Sequence, residues 1–270
     1  MPKLTELQSD AAALGWIANA EPYSELADFS DGVPKSLEYG QQYHIPGIIE
    51  KRQFTTADQQ KTECDWRTHL NLMQVENQNP LQACMAYAIG AVLDARQQIR
   101  GGPPLRTAPR YFHLNDLKLP GILPTGMGDC AELCELVGFP QWVKGADSLT
   151  TLADCAALPP PKRLKIVGAF SFDDVEQVKR EISTRGPVVC SMITYEDFRS
   201  YYRSGIYRPT AKNLPVRHAM AIVGYINTKQ CWILKNSFGS KWGEQGYCHY
   251  DIGATGMLGE TPNVWAIDLA

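Results

Sequence analysis

The chain has 270 residues, 44% of them hydrophobic and 20% charged, the composition of a globular protein with room for one large domain or two lobes. A net charge of −3 and a pI near 6.0 give no basic field that would gather nucleic acid or anionic lipid. The longest apolar runs, such as residues 219–225, fall far short of the roughly 20 residues that a membrane-spanning helix needs.

In chain order, residues 1–62 are polar and mixed, with turn signals at Asp31-Gly32, Val33-Pro34 and Ile45-Pro46-Gly47. They read as an N-terminal extension ahead of a domain spanning 63–270. Residues 11–20 end in Ala18-Asn19-Ala20, which looks like a signal-peptide cleavage site. Glu6 and Asp10 deny the segment a basic leader, and Gly15 and Asn19 interrupt its apolar stretch, so a short amphipathic helix is the better reading. From 82 to 99, Cys84, Ala88, Ala91, Val92, Ala95 and Ile99 recur at helical spacing until Gly101-Gly102-Pro103-Pro104 stops them. This predicts a long, largely buried helix. Further helices are expected over 130–137, ended by Gly138, and over 173–184, ended by Gly186-Pro187.

The second half changes character. Residues 188–193, 218–226, 231–235 and 246–252 are short, apolar or alternating, and separated by turn residues, as antiparallel strands are. A helical lobe followed by a sheet lobe is an α+β architecture with a cleft between the two, a common place for a binding site.

Eight cysteines would suit a disulfide-bonded secreted protein, but one set aside as a nucleophile leaves an odd seven. Cys130 and Cys134 lie one helical turn apart, and Cys190 and Cys248 fall in apolar runs where a thiol packs as a small hydrophobe. Reduced thiols in the cytoplasm or another reducing compartment are therefore expected. With no Cys-x-x-Cys pair or close Cys/His quartet, no metal and no cofactor are expected.

Three stretches carry chemistry only when taken together. In residues 77–88, Cys84 follows a Pro-containing loop at the start of the long helix, where unpaired N–H groups and the helix dipole favour a thiolate. Residues 217–225 place His218 at the start of an apolar strand. Residues 234–247 leave a strand through Asn236 into a loop rich in Gly that carries Trp242. Taken singly, the three residues read as a buried thiol, a structural histidine and a turn former.

Together they resemble the papain-like, or cathepsin-like, cysteine peptidases. His218 and Asn236 follow Cys84 by 134 and 152 residues, close to the roughly 130–150 of that family. Residues 235–247 are similar to the family's Asn-Ser-Trp-Gly and Trp-Gly-Glu-x-Gly-Tyr segment. Asp65-Trp66-Arg67 is similar to the start of its mature enzyme, and Gly186-Pro187-Val188 and residues 202–207 to the strand and loop before the histidine. The resemblance, over about 64–250, implies a two-lobe fold with the nucleophile on a central helix and a barrel-like sheet lobe. It implies Cys84 as nucleophile, His218 as its base in a thiolate–imidazolium pair, Asn236 as the group orienting that base, and Gln78 as an oxyanion donor.

The implied activity is that of a monomeric endopeptidase acting on peptides or proteins through a thioester acyl-enzyme. Gly126, Gly128 and Ser191, with Trp242, are the residues expected to meet substrate. Residues 1–62 are expected to act as a propeptide-like segment that occupies the cleft of a zymogen. A silenced peptide-binding relative and a transglutaminase-type acyltransferase are the alternatives. This chain departs from the family pattern at Met85 and Phe238, each in place of tryptophan, and at Leu81, in place of a cysteine. Arg217 beside His218 is expected to disfavour the imidazolium.

Overall fold

The long helix expected over 82–99 forms as Cys84–Ile99, with Ile89, Val92, Leu93 and Ala95 wholly buried. It is α2 of a computed structural model that describes residues 4–23, 50–68, 75–117, 127–209, 216–254 and 264–270. Ahead of it come α1 (Leu4–Ala13) and three short strands, β1 (Trp16–Ala18), β2 (Glu50–Lys51) and β3 (Glu63–Asp65). After it come α3 (Pro109–Tyr111), α4 (Met127–Val137), β4 (Phe139–Pro140), α5 (Leu152–Ala156) and β5 (Arg163–Leu164). Then follow β6 (Ile166–Phe172), α6 (Val175–Arg185), β7 (Val188–Thr194), α7 (Glu196–Tyr201) and β8 (Tyr202–Tyr207). The chain closes through β9 (Val216–Ile226), β10 (Cys231–Lys235), β11 (Tyr247–Asp251) and β12 (Val264–Leu269).

The main sheet runs β1-β8-β11-β10-β9-β7-β12-β6-β2, with β3 also paired to β9. Residues 219–225 of β9 are all buried rather than alternating, because the sheet is covered on both faces. Met220 and Ile222 face a core shared with Trp16, Phe198 and Trp242, whereas Ala219, Ala221 and Val223 face one shared with Ile89 of α2 and Cys134 of α4. The result is the α+β papain-like arrangement expected, with a helical part and a sheet-rich part.

Local signals set the helix ends. The Asp174 carboxylate accepts from the Gln177 N–H at 2.9 Å and caps α6. Gly186 ends that helix at φ +115°, and a Cβ there would lie 2.5 Å from Cδ1 of Ile99 at the end of α2, so only glycine lets the two helix ends meet. At the N-terminus the expectation is corrected: the helix occupies 4–13, not 11–20. Gly15, at φ +87°, turns the chain out of it, and Trp16, 2% exposed, starts a strand paired to β8.

Residues 50–62 are clasped to the body of the fold. Arg52 bonds Glu181 and Asp268 at 3.2 and 2.8 Å and lies 3.6 Å from the centre of the Phe170 ring. Asp58 pairs with Arg185 at 2.8 Å. Glu181 has no exposed surface, and Arg96 of α2 reaches both it and Asp268 at 2.7 Å.

Candidate active site

Cys84 is the first residue of α2, where Ala83 provides no side-chain cap and the first-turn N–H groups remain available. The residue is half-buried, and its sulfur accepts from the backbone N–H groups of Ala219 and Met85. The Ala219 contact fixes the thiol against the strand that carries His218.

Asn236 immediately follows β10, whose last residue, Lys235, pairs with Ala221 of β9. That register sets Asn236 beside His218, and Nε2 of the ring lies 2.8 Å from Asn236 Oδ1. The Ser237 N–H also donates to Oδ1 at 2.8 Å. A backbone N–H can only donate, so this atom is the amide oxygen, and the imidazole must carry its proton on Nε2. Nδ1 is left as the ring nitrogen able to accept a proton. Phe238 stacks on His218 with ring centres 4.8 Å apart, and Trp242 meets Phe238 edge-on at 5.7 Å. Phe238 thus covers the His218–Asn236 bond from solvent.

Gln78 is 1% exposed and tied to the same loop. Its N–H donates to the Ser237 carbonyl at 2.8 Å, and the Ser237 hydroxyl donates to Gln78 Oε1 at 2.6 Å. One Nε2 hydrogen serves the Leu81 carbonyl at 3.1 Å, which leaves the second for a ligand. Ser237 was given no role in the sequence reading, since its position in the motif says nothing of the partner it reaches.

Burial raises the Cys84 thiol above its ordinary range, against the lowering effect of the Ala219 and Met85 N–H groups. Burial lowers His218 to about 4, opposed by the Asn236 bond and aided by Arg199. The cation that disfavours the imidazolium is therefore Arg199 of α7, not Arg217, which is exposed. Both shifts favour the neutral thiol and neutral imidazole over the resting ion pair that the resemblance implies. An acid with a raised pKa ionises later. Alkylation of Cys84 by iodoacetamide is accordingly expected to keep accelerating as pH rises through 9, whereas a plateau already reached by pH 6 would show a resting thiolate.

Behind these groups Lys235, Glu76 and Tyr87 line a narrow pocket with Asn236 and Ser237. Burial lowers Lys235 to about 8 and raises Asp94 of α2 to about 7. Of the residues expected to meet substrate, Ser191 lies on β7 opposite Ala219 and is 7% exposed. Gly128 is the second residue of α4, and Gly126 lies outside the described residues. Trp242 is 1% exposed, its indole N–H donating to the Arg199 carbonyl at 2.9 Å, so it backs Phe238 from within the core.

The family described as papain family cysteine protease matches residues 154–264, a span that holds His218 and Asn236. A cathepsin B-like cysteine proteinase 1 from Haemonchus contortus is 44% identical over 75 residues, 27% of this chain and 22% of that protein. The chain thus spans under a quarter of that relative's length. A cathepsin B-like CP2 from Giardia intestinalis is 25% identical over 222 residues, covering 74% of this chain and 72% of the relative. The structure of digestive procathepsin L 3 of Tenebrio molitor larval midgut superposes with a TM-score of 0.64 at 17% identity, over 82% of this chain and 75% of that one. These relatives overturn the cytoplasmic, reducing compartment expected from the cysteine count: they are cathepsins by name, and one is digestive in a midgut. The physical reason is that seven of the eight cysteines are buried, and a thiol without exposed surface packs as a small hydrophobe in any compartment. Matched over residues 154–264 by the family itself and over 74% of its length by a cathepsin B-like protein, the chain is similar to the papain-like cysteine peptidases.

Proposed function

We propose that the protein is a cysteine endopeptidase in which Cys84, His218, Asn236 and Gln78 carry the reaction. The observation that carries this reading is the fixed tautomer of His218, whose Nε2–H is committed to Asn236 while Nδ1 remains on a strand held against the thiol. His218 Nδ1 takes the thiol proton as sulfur attacks the carbonyl carbon, and the oxyanion accepts from the second Gln78 Nε2 hydrogen. The imidazolium gives that proton to the leaving amine, which leaves a thioester on Cys84. Water then attacks the thioester, His218 takes its proton, and the proton returns to sulfur as the acid product departs. Ser191, Gly126 and Gly128 are proposed to meet substrate, with Trp242 supporting Phe238 beside the scissile bond.

The extension before residue 63 is proposed to act as a propeptide-like segment of a zymogen. Supporting this, Tyr23 donates to the Tyr202 carbonyl at 2.9 Å and accepts from the Gly243 N–H at 3.0 Å, which anchors the segment beside the Trp242 loop. The test is turnover of fluorogenic dipeptides by the full chain and by Cys84→Ala, before and after limited proteolysis. Turnover that rises on proteolysis and is absent from Cys84→Ala supports both readings. Folded protein that hydrolyses nothing in either form refutes the peptidase, and release of amide rather than acid with added amine would show an acyltransferase.

A further inference from the structure

Gln78 can serve an oxyanion only if the loop carrying it is fixed relative to α2, and one buried cation spans that gap. Arg110 of α3 is 8% exposed. Its Nη2 donates to the carbonyls of Asn77 and Asn79, at 3.1 and 2.5 Å, the residues on either side of Gln78. Its Nε donates to the Tyr87 hydroxyl at 3.0 Å, three residues after Cys84 on α2, and Nη1 donates to the Leu149 carbonyl at 3.0 Å. Tyr87 in turn donates to the Asn77 carbonyl at 3.5 Å.

We propose that Arg110 is a positioning residue for the oxyanion site, setting the Gln78 amide relative to Cys84 by bridging the two flanking carbonyls to the nucleophile helix. This rests on the peptidase reading above. Guanidinium suits the task because its planar fork serves several acceptors in fixed directions, whereas an ammonium on a flexible stem does not. Taking a buried cation out of water is costly, and here main-chain carbonyls and a phenol supply its contacts, so its hydrogen bonds go to the geometry of this loop. Ser237 and Leu81 hold the amide itself. Arg110 holds the backbone beneath it.

The variant that tests this is Arg110→Lys, made in the wild-type and Gln78→Ala backgrounds of the full chain, in whichever form turns over a dipeptide. Three readouts separate the roles: kcat against KM, the Ki of a peptide aldehyde, whose thiohemiacetal places an oxygen in the oxyanion site, and alkylation of Cys84 by iodoacetamide, which forms no oxyanion. Expected are a fall in kcat and in aldehyde affinity of about 10- to 100-fold, with KM and alkylation nearly unchanged. In the Gln78→Ala background the same substitution should add less than about threefold, because the donor it positions is already gone. An unchanged kcat, a parallel loss of alkylation, or the full effect repeated without Gln78 would overturn the proposal. Should Arg110→Lys not fold, Tyr87→Phe removes one bearing of the fork and is expected to give the same signature at reduced size. A wild-type chain whose Cys84 is alkylated but which turns over no peptide before or after limited proteolysis sinks the peptidase reading instead.

Discussion

Replacing Arg96 by Met is expected to lower the free energy of unfolding by about 2–3 kcal/mol, read as a fall in the urea midpoint at constant slope. The size follows from what is left behind. Glu181 has no exposed surface, and Arg96 gives it a 2.7 Å ion pair while donating to the Pro187 carbonyl at 2.9 Å. Removing the guanidinium takes the shortest ion pair from a carboxylate that water cannot reach and leaves it to Arg52 and Arg185 alone. The arm to Asp268 contributes less, since that side chain is 27% exposed and screened by solvent. Arg52 completes the cluster, which gives a companion result on the boundary proposed at residue 62. A chain starting at residue 50 loses the core contacts of α1 and Trp16 but keeps Arg52 on Glu181, and is the reference for the clasp. One starting at 63 loses Arg52 and Asp58 together and is expected to unfold at clearly lower urea, and equal midpoints for the two would show that residues 50–62 add nothing to the fold.

Asn236→Ala is expected to reduce kcat by about 10²- to 10⁴-fold with KM little changed, the range over which an oriented general base contributes. The Ser237 N–H and the His218 Nε2–H converge on one oxygen, so the substitution removes what fixes the ring's tautomer and its plane. The free imidazole then samples rotations that carry Nδ1 away from the orientation proposed for proton transfer. Phe238 still stacks on the ring at 4.8 Å, so unfolding should shift far less than turnover. Turnover within about threefold of wild type would assign the orientation of His218 to Phe238 alone.

The sequence foretold α2, β7, β9, β10 and β11 because each is an apolar run long enough to show its period and is bounded by turn residues. It did not foretell β1, three residues long, whose partner β8 lies nearly two hundred positions away. Nor did it foretell β6, where Val167 is 57% exposed and Gly168 and Ser171 blur the alternation. In the candidate site, Cys84, His218, Asn236 and Gln78 were named through a motif, and the structure sets His218 on Asn236 and Gln78 on Ser237. Arg217 was named because it is adjacent in sequence to His218. Successive strand residues face opposite ways, and the side chain next to His218 points out to water. The clasp of Arg52, Arg96, Arg185, Glu181 and Asp268 draws on four separate stretches, none of which carries a local pattern.

Trp16 makes the N-terminal anchor visible to light. The indole is 2% exposed, 5.2 Å from the Tyr207 ring and 6.1 Å from that of Tyr202, and donates to the Arg208 carbonyl at 2.9 Å. Buried indoles emit at shorter wavelength than hydrated ones, so detachment of the first strand would move this residue's fluorescence to the red while Trp232 and Trp265, buried deep in the sheet, kept theirs. The chain carries its own optical gauge of whether the extension is seated, and stopped-flow emission could time its departure against the onset of any hydrolysis without an added label.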